Sequence, residues 1–163
     1  MPTSTTANEA PDFSLENLKL FRIIFKSATR HFHEIEKSAG VGGASLWAMA
    51  QISENTKITV SELAKSMSIH QSTASNLIEK LENSGYISRS RSNEDRRVVY
   101  LTLTETGHAV MVKAPTPYCG ILPDALMKLE YSKQVELYNL LKDLLANMEF
   151  KQDGSAFELL SKI

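Results

Sequence analysis

The sequence predicts a mainly α fold that carries one small two-stranded β hairpin. Apolar residues recur every three or four positions in long segments near both ends of the chain. Between these segments the period changes to two, in the stretch "YISRSRS" and again after the polar connection "NEDR". A helix repeats about every 3.6 residues and a strand every two, so the first pattern predicts helices and the second a hairpin.

Length and charge define the broad class of protein. A chain of 163 residues with a net charge of −1 suits one domain with a sizeable core. The single cysteine, Cys119, excludes an internal disulfide and offers no cysteine metal cluster, so a reducing, cytoplasmic setting is expected. Residues 1–12 lack the basic and apolar parts of a secretory signal and are predicted to form a disordered leader.

The first helix is predicted from a seam of apolar residues at steps of three and four. Glycines in "SAGVGG" should end it, and a second helix is expected at roughly Ala44 to Ser53. The seam consists of Leu18, Phe21, Phe25, Ala28, Phe32 and Ile35. Its spacing is typical of helices that pack against another helix.

Two short helices are predicted next. Thr59 and Glu62 have the spacing of a capping box, which begins one helix. The stretch "HQSTASNLIEKLENSG" forms the other, and Gly85 suits the left-handed position after it. Ala74, Leu77 and Leu81, with Ile78 at the edge, share its apolar face, whereas Ser72, Ser75, Asn76 and Glu79 lie opposite.

The hairpin and the C-terminal helices complete the order of elements. Val99, Leu101 and Leu103 lie on one face of the second strand, and Thr104 is expected to cap a further helix. Prolines 115, 117 and 123 predict a kink or a double break after that helix. A final helix is expected at roughly Ser132 to Met148, with a stripe formed by Leu137, Leu141, Leu144 and Met148. The tail, residues 151–163, is expected to add at most a short helical turn.

Helix, short turn, helix and hairpin, in this order, predict a winged helix-turn-helix. The second helix would enter the major groove of a duplex with its N-terminal residues near base edges. The hairpin would be the wing. Its polar turn places arginine at the tip, where a narrow minor groove attracts cations.

The stretch Ile58 to Gly107 resembles the MarR family of bacterial transcription regulators. The most specific segments are "STASNLIEKLENSGYI" and "DRRVVYLTLTETG", preceded by "SELA". The resemblance implies a single domain at 13–150, with the winged helix-turn-helix at about 44–103 and a dimerisation lobe from 13–38 and 104–150. It also implies a homodimer. The alternative for both apolar stripes is an ordinary core within one chain.

The resemblance also implies roles for individual residues. Gln71, Ser72, Thr73, Ser75 and Asn76 would read bases of a pseudo-palindromic operator in double-stranded DNA. Arg97 would enter the minor groove, Asp95 would brace it, and Arg96, Arg89 and Arg91 could meet phosphates. For Arg89 and Arg91 the alternative is an exposed, salt-bridged side chain. Two residues depart from the family pattern, since His70 replaces a Ser or Asp helix cap and Asn76 replaces an arginine.

The implied function is sequence-specific DNA-binding transcription regulation, as a repressor relieved by a small-molecule ligand. His31, Phe32 and Trp47 could line a pocket for a small aromatic carboxylate, although packing is their alternative role. A redox sensor using Cys119 and a winged-helix protein-interaction module are the rival hypotheses. His31 and His33 lie two apart, on different sides of a helix, so a metal site is not expected. No catalytic constellation stands out, so neither an enzyme nor a cofactor is expected.

Overall fold

The computed structural model describes residues 12–149 and 151–159, except for the side chain of residue 153. Its helices and strands, in chain order, are α1 (Phe13–Ala39), α2 (Gly43–Glu54), α3 (Val60–Ser66), α4 (Gln71–Asn83), β1 (Ile87–Arg91), β2 (Val99–Leu103), α5 (Glu105–Lys113), α6 (Ile121–Met127) and α7 (Tyr131–Ala146). A 3₁₀ turn, Asp153–Phe157, follows. The mainly α fold with one two-stranded sheet is confirmed.

Local capping chemistry fixes the ends of the helices. The side chain of Asp12 accepts a hydrogen bond from the main-chain N–H of Ser14, and α1 ends at Gly40 in the left-handed region with φ of 69°. The predicted leader, residues 1–12, otherwise lies outside the described residues. The capping box of Thr59 and Glu62 is present at α3, and Gly85 follows α4 with φ of 73°.

The hairpin is hydrogen-bonded to the segment that precedes α3. The strands β1 and β2 pair antiparallel, with Ile87 opposite Leu103 and Arg91 opposite Val99. The main-chain N–H of Leu101 in β2 donates to the carbonyl oxygen of Ile58, two residues before α3, at 2.9 Å. The wing is therefore hydrogen-bonded to the helix-turn-helix as well as to itself.

The core of the described chain is formed by α2, α3, α4, the hairpin, the C-terminal end of α1 and α5. Its largest fully buried side chains are Ile35, Leu46, Met49, Leu63, Ile78, Leu81 and Leu101. Burying side chains of this size stabilises the fold by about 1.5–3 kcal/mol each. Ile78, predicted at the edge of the apolar face of α4, is fully buried.

The seam of α1 passes from solvent into this core along its length. Leu18 and Phe25 are exposed, whereas Ile35 is completely buried. At the other end of the chain, α6 and α7 contain no buried residue within the described part of the structure. Leu141, Leu144 and Met148 of the predicted stripe are all exposed. The helical lobe thus leaves apolar surface uncovered in a single chain.

The proline-containing segment forms one break rather than two. The helix α5 ends at Lys113, and Pro115 and Pro117 lie in the irregular stretch of bends and a turn that follows it. Pro123, which was expected to interrupt a helix, instead lies in the first turn of α6. Main-chain N–H groups in a first turn have no intrahelical partner, so a proline is tolerated there.

Gly107 lies where α5 meets the hairpin, and we predict that Gly107→Ala destabilises the protein. A Cβ at this position would overlap the carbonyl oxygen of Tyr86 and press on the side chain of Leu103. Helix propensity favours alanine by about 1 kcal/mol, but overpacking against main chain costs about 1–3 kcal/mol and its effect should exceed that gain. Urea unfolding at fixed protein concentration measures the difference.

Gly42→Ala is the matched control. Gly42 has φ of −68°, and a Cβ there meets no atom of the described chain within 4 Å. We expect Gly42→Ala to change the free energy of unfolding of the protein by less than about 1 kcal/mol. Equal stability losses for the two variants would contradict the assigned close approach at Gly107.

Candidate nucleic-acid interface

The helix α4 presents one apolar and one polar face, as its sequence predicts. Ala74 and Ile78 are fully buried, and Leu77 and Leu81 are nearly so. The opposite face carries the predicted base-reading residues, of which Gln71, Ser72, Ser75 and Asn76 are exposed and Thr73 is half-buried. The burial of one face therefore fixes the direction in which the polar side chains project.

The start of α4 is capped in an unexpected way. The side chain of His70 makes no capping hydrogen bond within the described chain. Instead, its main-chain N–H lies 3.4 Å from the carbonyl oxygen of Phe157, and the two rings lie 5.1 Å apart at an angle of 49°. Sequence reasoning noted the unusual histidine but gave no signal for this partner, which lies far along the chain.

The tip of the wing is a self-contained polar turn. Ser92 is buried, and its Oγ accepts hydrogen bonds from the main-chain N–H groups of Glu94 and Asp95, at 3.2 and 3.4 Å. The Asp95 carboxylate accepts from the main-chain N–H of Arg97, at 2.9 Å. This is the pattern by which aspartate stabilises turns. Asp95 thus holds the main chain of Arg97 in place, whereas the sequence led us to expect a brace on its side chain.

The wing arginines differ in their surroundings. Arg96 and Arg97 are exposed at the tip, and Arg91 is exposed on β1. The Nε atom of Arg89 lies 2.9 Å from a carboxylate oxygen of Glu82 at the end of α4. Both side chains of this pair are about 40% exposed, at 41% and 39%. Such a surface pair contributes at most about 1 kcal/mol, so Arg89 can exchange Glu82 for another anion.

The three residues predicted to line a ligand pocket have packing partners. His31 is 8% exposed, and its Nε2 lies 3.2 Å from the carbonyl oxygen of Pro117. The ring of Phe32 packs on Gly43 and Gly120, while Trp47 is half-buried against the core. A cleft of about 520 Å³ lies nearby, lined by Glu34, Lys37, Ser38, Lys113, Ala114 and Pro115. A ligand role for His31, Phe32 and Trp47 stays a prediction.

Cys119 lies in the break between α5 and α6 and is half-buried. Burial, and secondarily the negative charge of Asp124, raises the pKa of its thiol above the ordinary value. Thiol oxidation proceeds through the thiolate, so this environment disfavours reaction. The surroundings of Cys119 therefore speak against the redox-sensor hypothesis.

Across residues 12–149 and 151–159, no group of three or more His, Cys, Asp or Glu side chains could hold a metal ion. None of the described helices is both long enough and apolar enough to cross a membrane.

An exposed polar helix set beside an arginine-tipped hairpin defines a winged helix-turn-helix protein. The MarR family model matches residues 44–99, which span α2 to the start of β2. Over 161 residues the chain is 26% identical to the transcriptional repressor MprA of Escherichia coli K12, covering 95% of this chain and 92% of the repressor. Over residues 44–99 the chain is therefore similar to the MarR family.

Solved structures agree with this fold. The YusO protein from Bacillus subtilis superposes with a TM-score of 0.55 at 22% identity, covering 86% of this chain and 100% of that one. FabT from Streptococcus pneumoniae, in complex with DNA, also gives 0.55 at 22% identity, covering 83% and 96%. At this identity the likeness establishes the architecture, and the individual contacts come from the geometry above.

We predict that the thiol of Cys119 reacts slowly in the folded protein. Because its pKa is raised, the thiolate fraction near neutral pH is smaller than in the unfolded chain. The rate of iodoacetamide alkylation, followed by mass spectrometry across pH 7 to 10, should therefore rise at higher pH in folded protein than in urea. Faster alkylation of the folded protein at neutral pH would restore the redox-sensor hypothesis.

Proposed function

We propose that this chain is a cytoplasmic, sequence-specific DNA-binding transcription regulator that acts on a pseudo-palindromic operator as a homodimer. The observation that carries the proposal is the exposed polar face of α4, held outward by the buried Ala74, Ile78 and Leu81. Gln and Asn side chains can pair bidentately with adenine, and Ser or Thr can reach bases or phosphates. Gln71, Ser72, Thr73, Ser75 and Asn76 are the residues that would read the operator.

The wing would supply much of the affinity. The segment from Ser88 to Arg97 carries four arginines against Glu94 and Asp95, an excess of two positive charges. The first six residues of α4, Gln71 to Asn76, include no cationic side chain. We propose that Arg97 enters the minor groove, that Arg96 and Arg91 contact phosphates, and that Arg89 joins them by leaving Glu82.

Repression is the proposed mode of regulation. MprA is named a transcriptional repressor, and FabT was solved in complex with DNA. A dimer that covers about two turns of DNA near a promoter would block access to it. The polar face of α4 is poorly suited to a protein-interaction module, which would need apolar side chains there.

Uncovered apolar surface supports the homodimer. Phe13 is 69% exposed, and Ile23 and Phe25 are also exposed on α1. On α7, Leu141, Leu144 and Leu145 are exposed within one chain. An intramolecular core was the alternative for these stripes, and the chain buries only the C-terminal end of the α1 seam, at Ile35, while Leu141 and Leu144 of the α7 stripe stay exposed. Exposed apolar side chains on this scale are typical of an interface, and a second copy presents the same two helices.

We further propose that a small aromatic carboxylate relieves repression by changing the conformation of the dimer. The cleft beside α1 offers a suitable chemistry, since Lys37 and Lys113 could meet a carboxylate while Ala114 and Pro115 contact an apolar ring. It lies where α1 approaches the end of α5. A ligand that prefers one dimer conformation would shift the population toward it.

The DNA-binding proposal predicts a large effect of Arg97→Ala. In vitro selection with purified protein should first return a two-fold symmetric duplex. On that duplex we expect Arg97→Ala to weaken binding about 10- to 100-fold and to reduce the slope of log affinity against log salt by about 1, because one cation is lost. Fluorescence anisotropy at several salt concentrations measures both quantities.

Arg89→Ala is the matched control on the same hairpin. Because Arg89 is already paired with Glu82, its loss should weaken binding only about threefold. Wild-type affinity for Arg97→Ala, or selection of no duplex at low salt, would refute the proposal.

The homodimer predicts that Leu144→Glu separates the subunits. A charge placed in an apolar interface is costly to desolvate, so the dimer dissociation constant should rise about 100-fold or more. Sedimentation velocity over a concentration series measures it. Asn139→Glu, an exposed position on the other side of α7 from Leu137 and Leu141, should leave the dimer intact. A dimer that tolerates Leu144→Glu would contradict the assignment of this stripe to the interface.

A further inference from the structure

The C-terminal segment folds back onto the start of α4. In this segment, defined here as Asp153–Leu159, the 3₁₀ turn places the carbonyl oxygen of Phe157 3.4 Å from the main-chain nitrogen of His70. The Phe157 ring lies 5.1 Å from the His70 ring. Two residues further along, Leu159 is half-buried against the core. Among the described residues, a hydrogen bond, a ring pair and an apolar contact therefore hold the segment in place.

The chemistry of the helix start explains why this contact forms. The first main-chain N–H groups of a helix have no intrahelical acceptor, and a Ser or Asp side chain commonly satisfies one of them. The side chain of His70 makes no such bond in the described chain. The carbonyl oxygen of Phe157 accepts from a different group, the main-chain N–H of the N-cap residue His70 itself, and the imidazole ring gives the phenyl ring a surface to pack on. The departure from the family pattern at His70 is thus linked to the tail.

The docked segment occupies the end of α4 that would approach DNA. Gln71 and Ser72, the first two residues of the helix, follow His70 directly. Phe157, which is 50% exposed, and the exposed Glu158 lie next to this end. An acidic residue such as Glu158, exposed so close to this end of α4, would repel the phosphates of a duplex. The docked segment and DNA therefore compete for the same space.

We propose that Asp153–Leu159 is an autoinhibitory segment that must leave His70 before α4 can enter a major groove. The inference rests on the proposed DNA-binding function. Its contacts are few and partly solvent-exposed, so the segment opens readily and lowers affinity without abolishing it. If the docked state is about four times as populated as the open state, only about one subunit in five is open. The apparent affinity of each subunit for DNA then falls about fivefold. In a dimer both segments must open, which gives about 25-fold.

Phe157→Ala in the full-length chain is the direct test. This variant keeps the main-chain carbonyl group but loses the ring, so the segment should dock less and the operator duplex should bind about 5- to 25-fold tighter. Phe157→Tyr retains an aromatic ring and should bind like the wild type. Unchanged binding by Phe157→Ala would show that the segment does not affect DNA binding. Weaker binding would show that the segment supports DNA binding, and either result would overturn the proposal.

A reversible crosslink tests the opposite state. In a Cys119→Ser background, His70→Cys combined with Phe157→Cys should form a disulfide with diamide, because the two main chains are hydrogen-bonded. The oxidised protein should lose at least about tenfold in affinity relative to the same protein after reduction. Failure of the disulfide to form, or equal affinity of the two forms, would count against the docked segment.

Hydrogen exchange separates failure of this proposal from failure of DNA binding. In the free protein, the amides of His70 and Glu158 should be protected, and Phe157→Ala should remove that protection at His70. If the amides are protected but the protein binds no duplex, the proposed DNA-binding function is refuted. The segment would then be docked but would have nothing to inhibit. Unprotected amides in a protein that binds its operator would refute the autoinhibitory segment alone.

Discussion

The packing of the apolar face of α4 against its neighbours determines how the rest of the molecule can act. Ala74, Ile78 and Leu81 are buried where α4 meets α2, α3 and β1. Three buried apolar side chains leave the helix one orientation, and the polar residues between them face solvent as a direct consequence. The hairpin joins the same core through Ile87 and Leu101. The spatial relation between helix and wing is therefore a property of one hydrophobic core.

The two ends of the chain obey a different constraint. In α1 the buried residues are His31 and Ile35, both in its C-terminal half, and most of the apolar residues in the first half are exposed. On α7, Leu140, Leu141, Leu144 and Leu145 are likewise exposed, whereas Leu137 is half-buried. Isolated helices gain most of their stability in proteins from packing one apolar face. In the proposed homodimer a second copy of the chain would cover these faces, so assembly and stability of the lobe would be a single process.

The parts of this fold that depend on neighbouring residues could be predicted from the sequence. The capping box of Thr59 and Glu62, the left-handed Gly85 and the cap at Thr104 each involve residues within a few positions of one another. Periodicity likewise separated the buried from the exposed residues of α4. The expected break at Pro123 was wrong, because a proline interrupts the interior of a helix but is tolerated in its first turn.

Contacts between residues distant in sequence could not be predicted. The bond between His31 and Pro117 spans 86 positions, and the pair of His70 and Phe157 joins the turn before α4 to the tail. The ion pair of Arg89 with Glu82 depends on how the end of α4 faces β1. For the candidate site, the sequence therefore predicted which residues of α4 and the wing belong to it. The contact partners of those residues could be identified only from the fold.

The junction between the hairpin and α5 is built around Thr104. At Thr104 the main-chain N–H donates to the carbonyl oxygen of Tyr86, at 3.0 Å, and the hydroxyl donates to that of Gly85, at 2.7 Å. The same hydroxyl oxygen accepts from Gly107 at the first turn of α5. The hairpin and α5 are thus joined by three hydrogen bonds that share one threonine. In the proposed dimer, a rearrangement of the lobe would be passed through this junction to helix and wing together, so what changes would be the spacing between the two DNA-binding parts and not the shape of either.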